Sequence, residues 1–383
     1  MPTKTPSIHT PAILLDLDIL ERNIKNFHQP AATAGKNLWP MIKTHKSTEI
    51  ARMQLSHGAA GFLCGTLDEC EILYENIVRN EKKDISITYA YPVASYPNIE
   101  RVVKLAQDYS SFYIRIDNHE QAALLNQAAV EAGIYIKYII IINSGLNRFG
   151  IMPYELESLL SKITGLKHLK FCGISTHPGH VYSETNSDGV VQVSIQESCI
   201  MKTAAATLNK IGITPKIIST GSTPTHLHIV NNAVINCLHP GNYVFMDNIQ
   251  ISLGCAAEDD CALTVLTTII SAPRDGEFII DAGAKCLGLD KGAHGSVKIQ
   301  GHGRVKGVGE NMLTISVLSE EVGKITVPLV LRDKLNLKIG HKLEIIPNHS
   351  CAVANNTSYF TATRKGIFDR YVHVDMRGNS IRF

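Results

Sequence analysis

The chain predicts an α/β fold, a (β/α)8 barrel followed by a smaller, mainly-β domain. Three observations carry that expectation. Between about residues 36 and 247, eight short β-rich runs alternate with amphipathic stretches, the pattern of strand–helix units closing into a parallel barrel. After about residue 248 the helical period fades, and short strand-like runs separated by Gly, Pro, Asp and Asn take over. A length of 383 residues exceeds one average domain and suits one large unit plus a smaller one. The barrel is expected over residues 13–247 and the β domain over 248–383, with residues 1–12 packing on the latter.

Taken in order, the run Pro11–Asp16 precedes a helix at Ile19–Phe27 and is free to pair with the C-terminal domain. Barrel strands are expected at Leu38–Ile42, Gly61–Cys64, Ile85–Tyr89, Phe112–Ile116, Tyr138–Ile142, Phe171–Ser175, Lys216–Ser219 and Val234–Leu238. Each is rich in Ile, Val, Phe or Tyr and short enough to be buried on both faces. Helices are expected at Leu67–Arg79, Ile99–Gln107, His119–Ala132, Tyr154–Ile163 and Ser194–Ile211, where apolar residues recur at three- and four-residue spacing. Thr66 and Asn118 are set to cap two of them. Beyond residue 248, strands are expected at Val265–Ile270, Glu277–Asp281, Ser296–Ile299, Leu313–Val317, Lys324–Pro328, Lys342–Ile346 and Tyr371–Asp375.

Composition excludes several partners. Lys plus Arg number 37 against 35 Asp plus Glu, a net charge of +2, which offers neither a basic field for nucleic acid nor a polybasic patch for a membrane. Met1-Pro2-Thr3-Lys4-Thr5 lacks the charged-then-apolar pattern of a signal peptide. No apolar run approaches the roughly 18–20 residues that span a bilayer. Nine cysteines without a CxxC pair point to reduced thiols rather than a disulfide framework. A cytoplasmic globular protein is expected.

A barrel carries its active site at the C-terminal ends of its strands. Those positions hold Lys43, Asn143–Arg148, His177–Tyr182, Ser219–Thr225 and His239–Asp247. An amine at such a place is a candidate nucleophile towards a carbonyl. Gly221 permits close backbone approach, and Ser222 and Thr223 offer hydroxyls and amides that suit a phosphate. A plain polar loop has the same composition, but barrels commonly hold phosphate after strands seven and eight. An amine facing a phosphate cradle suggests pyridoxal phosphate. Tyr182 and Tyr243 fit core aromatics equally well. In Pro347-Asn348-His349-Ser350-Cys351, a segment read as extended, His349 and Cys351 lie two apart and point the same way, as two ligands of one cation such as zinc would. A buried cysteine beside a hydrogen-bonded histidine fits the pair too. His226 and His228 are set aside, because their spacing diverges on a helix.

The segments Thr10–Asp16, Lys43-Thr44-His45-Lys46, Gly179-His180, Gly221-Ser222-Thr223, Pro240–Asp247, Asp281-Ala282-Gly283 and Pro347–Cys351 follow one another over nearly the whole chain. Together they resemble the fold-type III, alanine racemase-like pyridoxal-phosphate enzymes, and within them the D-serine dehydratase / D-threonine aldolase group. The resemblance implies a pyridoxal-phosphate-binding TIM barrel with Lys43 as the Schiff-base lysine. It implies Arg148 by the cofactor's phenolic oxygen, Tyr182 by the pyridine ring, Gly221, Ser222 and Thr223 at the phosphate, and Tyr243 as a further cofactor contact. His349 and Cys351 match the group's metal pair, for zinc ahead of manganese or magnesium. A homodimer with sites near the subunit interface is implied as well. Three departures bear on the substrate: Trp39-Pro40-Met41 replaces an Arg-Pro-His segment, Val322 stands where His is common, and Asn143-Ser144 stands where an acidic residue usually opens the loop.

The activity this implies is that of a lyase on D-3-hydroxy amino acids, either β-elimination to a 2-oxo acid and ammonia or retro-aldol cleavage to glycine and an aldehyde. Cys351 favours elimination, since the aldolases typically carry Asp at that position. An amino-acid racemase needs a second acid/base opposite Lys43, for which the sequence names no clear residue. A non-catalytic pyridoxal-phosphate homeostasis barrel lacks a C-terminal β domain.

Overall fold

The structure is a computed structural model that describes residues 8–290, 299–309 and 313–378. Eight parallel strands, Asn37–Leu38, Gly61–Cys64, Ser86–Tyr89, Phe112–Ile116, Ile136–Ile141, Leu169–Ser175, Ile217–Thr220 and Cys237–Leu238, form one sheet in which the last strand returns to the first. The seam between the first two is the thinnest. Met41 bridges to Leu63, Ala60 N donates to Leu38 O at 2.9 Å, and Leu63 N donates to Pro40 O at 3.0 Å. The first strand stops short of Ile42 because Pro40 has no N–H for the ladder, and Ile42–Thr44 tightens into a 3-10 turn. The last strand is also shorter than its apolar run. There the Asn236 side chain replaces the ladder, accepting from Ile218 N at 2.9 Å and donating to Lys216 O at 2.8 Å.

Alternation along the strands sorts the core. Ile114 and Ile116 pack in one cluster with Val102, Leu105 and Leu125 of the surrounding helices. Tyr113 instead joins Trp39, Ile139, Cys172, Ile217 and Cys237, a separate cluster drawn from the strand wall that fills the barrel. Arg115, two places beyond Tyr113, shares that inward face. The caps are made as expected: Thr66 Oγ1 accepts from Glu69 N at 3.2 Å, and Asn118 Oδ1 from Gln121 N at 2.8 Å. The helix Thr48–Ser56 has no counterpart in the apolar spacing, since Thr48 and Gln54 are among its buried residues.

Leu263–Arg274 is the spine of the second sheet, antiparallel to Ala12–Asp16, Lys342–Ile346 and Glu277–Ile280. Ala12–Asp16 runs parallel to Tyr359–Arg364 on its other side. Residues 13–16, counted with the barrel from the sequence, thus pair in the β sheet, where Ile13 and Leu15 bury with Val265, Leu343 and Phe360. Tyr359–Arg364 escaped the sequence pattern because Thr361 and Thr363 are as buried as Phe360 and Ala362. Residues 296–298 of the expected strand Ser296–Ile299 lie outside the described residues. Among the described residues, no helix is long and apolar enough to cross a membrane.

Candidate active site

A cavity of about 800 Å³ opens at the C-terminal ends of the barrel strands, with β-domain residues completing its wall. Lys43, Arg148, Tyr182, Gly221, Ser222, His349 and Cys351 all line it. The 3-10 turn carries Lys43 off the strand, and its Nζ donates to Tyr91 OH at 3.4 Å. The Arg148 guanidinium carbon lies 5.7 Å from the Tyr91 ring centre and 5.2 Å from that of Phe149, cation–π contacts that tie it to the lysine's partner. Asn143 Oδ1 fixes the Arg148 loop by accepting from Gly145 N at 3.0 Å and Asn147 N at 3.2 Å. A carboxylate in that place would make the same bonds.

Gly221, with φ +153°, runs so close to the eighth strand that a Cβ would sit 3.0 Å from His239 N, a position that suits glycine. His177 Nδ1 donates to Gly221 O at 3.0 Å. Ser222 Oγ accepts from Thr225 N at 3.3 Å, and the Tyr182 hydroxyl bonds the Gln250 side chain and the Thr223 backbone. Burial pushes the Tyr182 phenol well up, keeping it protonated.

Thr223 and Tyr243 do not line the cavity. Thr223 Oγ1 accepts from Tyr243 N at 3.0 Å. The Tyr243 ring is fully buried, 4.8 Å from Phe27, and its hydroxyl meets His28 Nε2 at 2.6 Å and Gln54 Nε2 at 2.8 Å. Its side chain holds the barrel rim to helix Leu17–Thr33. Tyr243→Phe strands two buried polar groups and is expected to cost about 1–3 kcal/mol with little effect on cofactor affinity, which denaturant melts and cofactor titration check.

His349 and Cys351 are not on one extended segment. The strand ends at Ile346, His349 is the N-cap of helix Ser350–Asn355, and Cys351 lies in its first turn. They meet all the same, the imidazole hydrogen-bonding the thiol. Burial opposes charge on both, yet His349 draws the Cys351 thiol down, and Cys351 with Asp290 raises the imidazole. Asp290 Oδ2, 2.6 Å from His349 Nδ1, orients the ring, as acidic partners of metal-binding histidines do. Asp247 Oδ2 accepts from Asn242 Nδ2 at 2.8 Å and Ser350 N at 3.0 Å, tying barrel rim to β domain. Among the described residues, no three or more His, Cys, Asp or Glu are grouped to hold a metal. The pair is therefore a partial set that leaves coordination positions to water or substrate.

On the cavity wall, His239 Nε2, Asn242 Oδ1, Gln250 Oε1 and Arg115 Nε are buried without partners. Such orphans are rare in a finished interior, so these fit a polar ligand. An amine at one end and a glycine–hydroxyl bend at the other fit a phosphorylated aldehyde, and a thiol beside an imidazole fits zinc. Of the residues the sequence did not single out, Tyr91, Arg115 and Asp290 carry no local signal. Lys46 is buried and ion-paired with Glu69.

Histidines set the acid limit of the fold. Burial holds His28 and His226 at about 4 and His45 and His177 at about 3, and pushes His239 well below its ordinary value. The unfolded chain binds protons near pH 6.5 that the folded one refuses. Stability is therefore full above that value and falls as pH drops towards 4. Urea midpoints should fall in order from pH 7 to 6 to 5, and a flat series contradicts the account.

The comparisons cover most of the chain. The model of the alanine racemase N-terminal domain matches residues 15–249, and that of the serine dehydratase domain matches residues 262–363. The chain is 29% identical over 379 residues to the D-serine dehydratase of Dictyostelium discoideum, covering 91% of each. It is 27% identical to the 3-hydroxy-D-aspartate aldolase of Paracoccus denitrificans, over 97% of this chain and 92% of that one. The structure of D-threo-3-hydroxyaspartate dehydratase from Delftia sp. HT23 gives a TM-score of 0.86 at 25% identity, over 97% of this chain and 99% of that one. A cysteine-to-alanine mutant of a D-threo-3-hydroxyaspartate dehydratase in the metal-free form gives the same score.

Proposed function

The chain belongs to the alanine racemase N-terminal domain family, and on that premise we propose that it is a pyridoxal-phosphate- and divalent-metal-dependent lyase of D-3-hydroxy amino acids. It acts as a dehydratase of the D-serine type. One observation carries the reading: Lys43 and the His349–Cys351 pair line the same cavity. When bound, pyridoxal phosphate supplies an aldehyde and an electron sink for charge developing at Cα, and the cation supplies a Lewis acid for the hydroxyl on Cβ.

The chain's own residues do the rest. Lys43 would be the amine that holds that aldehyde, and its Nζ is the base placed to take the Cα proton. Tyr91, hydrogen-bonded to Nζ, steadies it. Gly221 and Ser222, which line the cavity, would receive the phosphate, and Tyr182 presents a protonated phenol. His349 and Cys351 would hold the cation, zinc by their donor chemistry, with Asp290 fixing the imidazole. Loss of the Cα proton and the Cβ hydroxide removes water, and hydrolysis of the released amino-acrylate gives the 2-oxo acid and ammonia.

Retro-aldol cleavage is the second reading, favoured by the relative that is a 3-hydroxy-D-aspartate aldolase. Incubation with D-serine, D-threonine and D-3-hydroxyaspartate, assaying 2-oxo acid against glycine and aldehyde, separates the two. 2-Oxo acid is the expected product, glycine with aldehyde selects the second reading, and neither product from all three sinks both. The same reading has the enzyme work as a homodimer in the cytoplasm, the former checked by its mass in solution.

A further inference from the structure

Among the described residues, Arg115 is the one buried cation of the cavity that no described carboxylate answers. It is 4% exposed, rises from the inward face of strand Phe112–Ile116, and lines the cavity. Its Nε has no partner, and no described carboxylate forms an ion pair with it. The groups that face it are Tyr91, Cys237, His177 and His239. Both imidazoles are held neutral by burial, and burial lowers Arg115 itself only to about 10, so it remains charged at neutral pH.

The other cations of the site are placed differently. Lys46 is neutralised by Glu69. Arg148 and Arg377 are exposed, and Lys43 is the reacting amine. A buried charge without a counter-ion opposes folding, and the layer beneath Arg115 is filled by Tyr113, Ile139 and Cys237, where an apolar side chain would pack at less cost. No described side chain supplies the counter-ion, whereas a ligand entering the cavity can. Under the lyase reading, the cofactor's phosphate goes to the Gly221 bend and its phenolic oxygen to Arg148. The α-carboxylate of the amino acid is the anion left without a partner, and a planar guanidinium fork matches it in shape.

We propose that Arg115 binds the α-carboxylate of the D-amino acid substrate at the floor of the cavity. The assignment rests on the lyase reading above, and its test is built to fail separately from it. Arg115→Met and Arg115→Lys are prepared as holoenzymes beside the wild type. Four properties are measured: KM and kcat for D-serine, the visible absorption of the resting cofactor, the melting temperature, and the change in melting temperature on adding acetate as a bare carboxylate probe.

Arg115→Met is expected to raise KM on the order of 10- to 100-fold, with the cofactor band intact. Its melting temperature should equal or exceed the wild type's, because an unpaired buried charge has gone. Acetate should stabilise the wild type and not the Met variant, and Arg115→Lys should recover part of the affinity. An unchanged KM overturns the proposal. So does loss of the cofactor band, which would assign the guanidinium to the cofactor, or a lower melting temperature in both variants, which would make its role structural. If the wild type converts no D-3-hydroxy amino acid but acetate still distinguishes it from Arg115→Met, the lyase reading falls and the carboxylate site stands.

Discussion

Lys43→Ala should yield a folded protein that has lost turnover by on the order of 10⁴-fold or more and has lost the visible absorption of a lysine-linked cofactor. The loss follows from what the residue alone provides. Among the described residues the cavity's other lysine is Lys46, which is ion-paired with Glu69, so none of them offers a second free amine to replace it. The fold should tolerate the change. Lys43 is partly exposed on a 3-10 turn, and its side-chain bond is the 3.4 Å contact to Tyr91, so stability should shift by no more than about 0.5 kcal/mol. Absorption spectra, single-turnover assays and thermal melts read these outcomes independently. A variant that keeps the band would move the covalent link to another amine and remove the basis of the proposed mechanism.

Chelation of the cation, His349→Ala or Cys351→Ala should each lower the dehydration rate by on the order of 10²- to 10³-fold, as expected when a Lewis acid worth several kcal/mol is withdrawn. The two substitutions combined should cost little more than either one, because both empty the same site. Asp290→Asn leaves both ligands but frees the imidazole to turn, and metal affinity should fall about 10- to 100-fold. Metal analysis after dialysis reports occupancy, and readdition of zinc should restore more activity than magnesium, a thiolate being a poor ligand for the harder ion. Full dehydration by metal-free protein would contradict this assignment. The cofactor band, by contrast, should survive every one of these changes, which separates the cation's part from that of Lys43.

The barrel was legible because its signals are local. The run Gly61–Cys64 is apolar on both faces and Phe112–Ile116 is dense in Phe, Tyr and Ile, and the caps at Thr66 and Asn118 act within three residues. The amine and the Gly221 bend were legible for a related reason, since the ends of barrel strands must converge on one rim. Tyr243 shows where the reasoning stops. Its neighbours Gly241 and Asn242 line the cavity, but the 3-10 turn Asn242–Val244 turns the tyrosine ring into the core. His349 and Cys351 meet by a different route from the one their spacing suggests, through a helix N-terminus rather than a strand. Arg115 and Asp290 were invisible because their roles depend on what lies across the cavity, and a lone charge at a strand end or in a loop reads as ordinary solvent-facing polarity.

The pairing of Ala12–Asp16 carries a consequence for the order of assembly. Ala12 aligns with Leu266 and Leu14 with Thr361, so this early segment waits through most of translation for its neighbours. Contacts so distant in sequence form late, after the more local ones have closed their loops. The nascent barrel can thus mature with its nucleophile already in place while Ile13 and Leu15 remain unsheltered. Chemical competence arrives only when the two extremities of the polypeptide have met, since the sheet they complete together is the one that delivers His349.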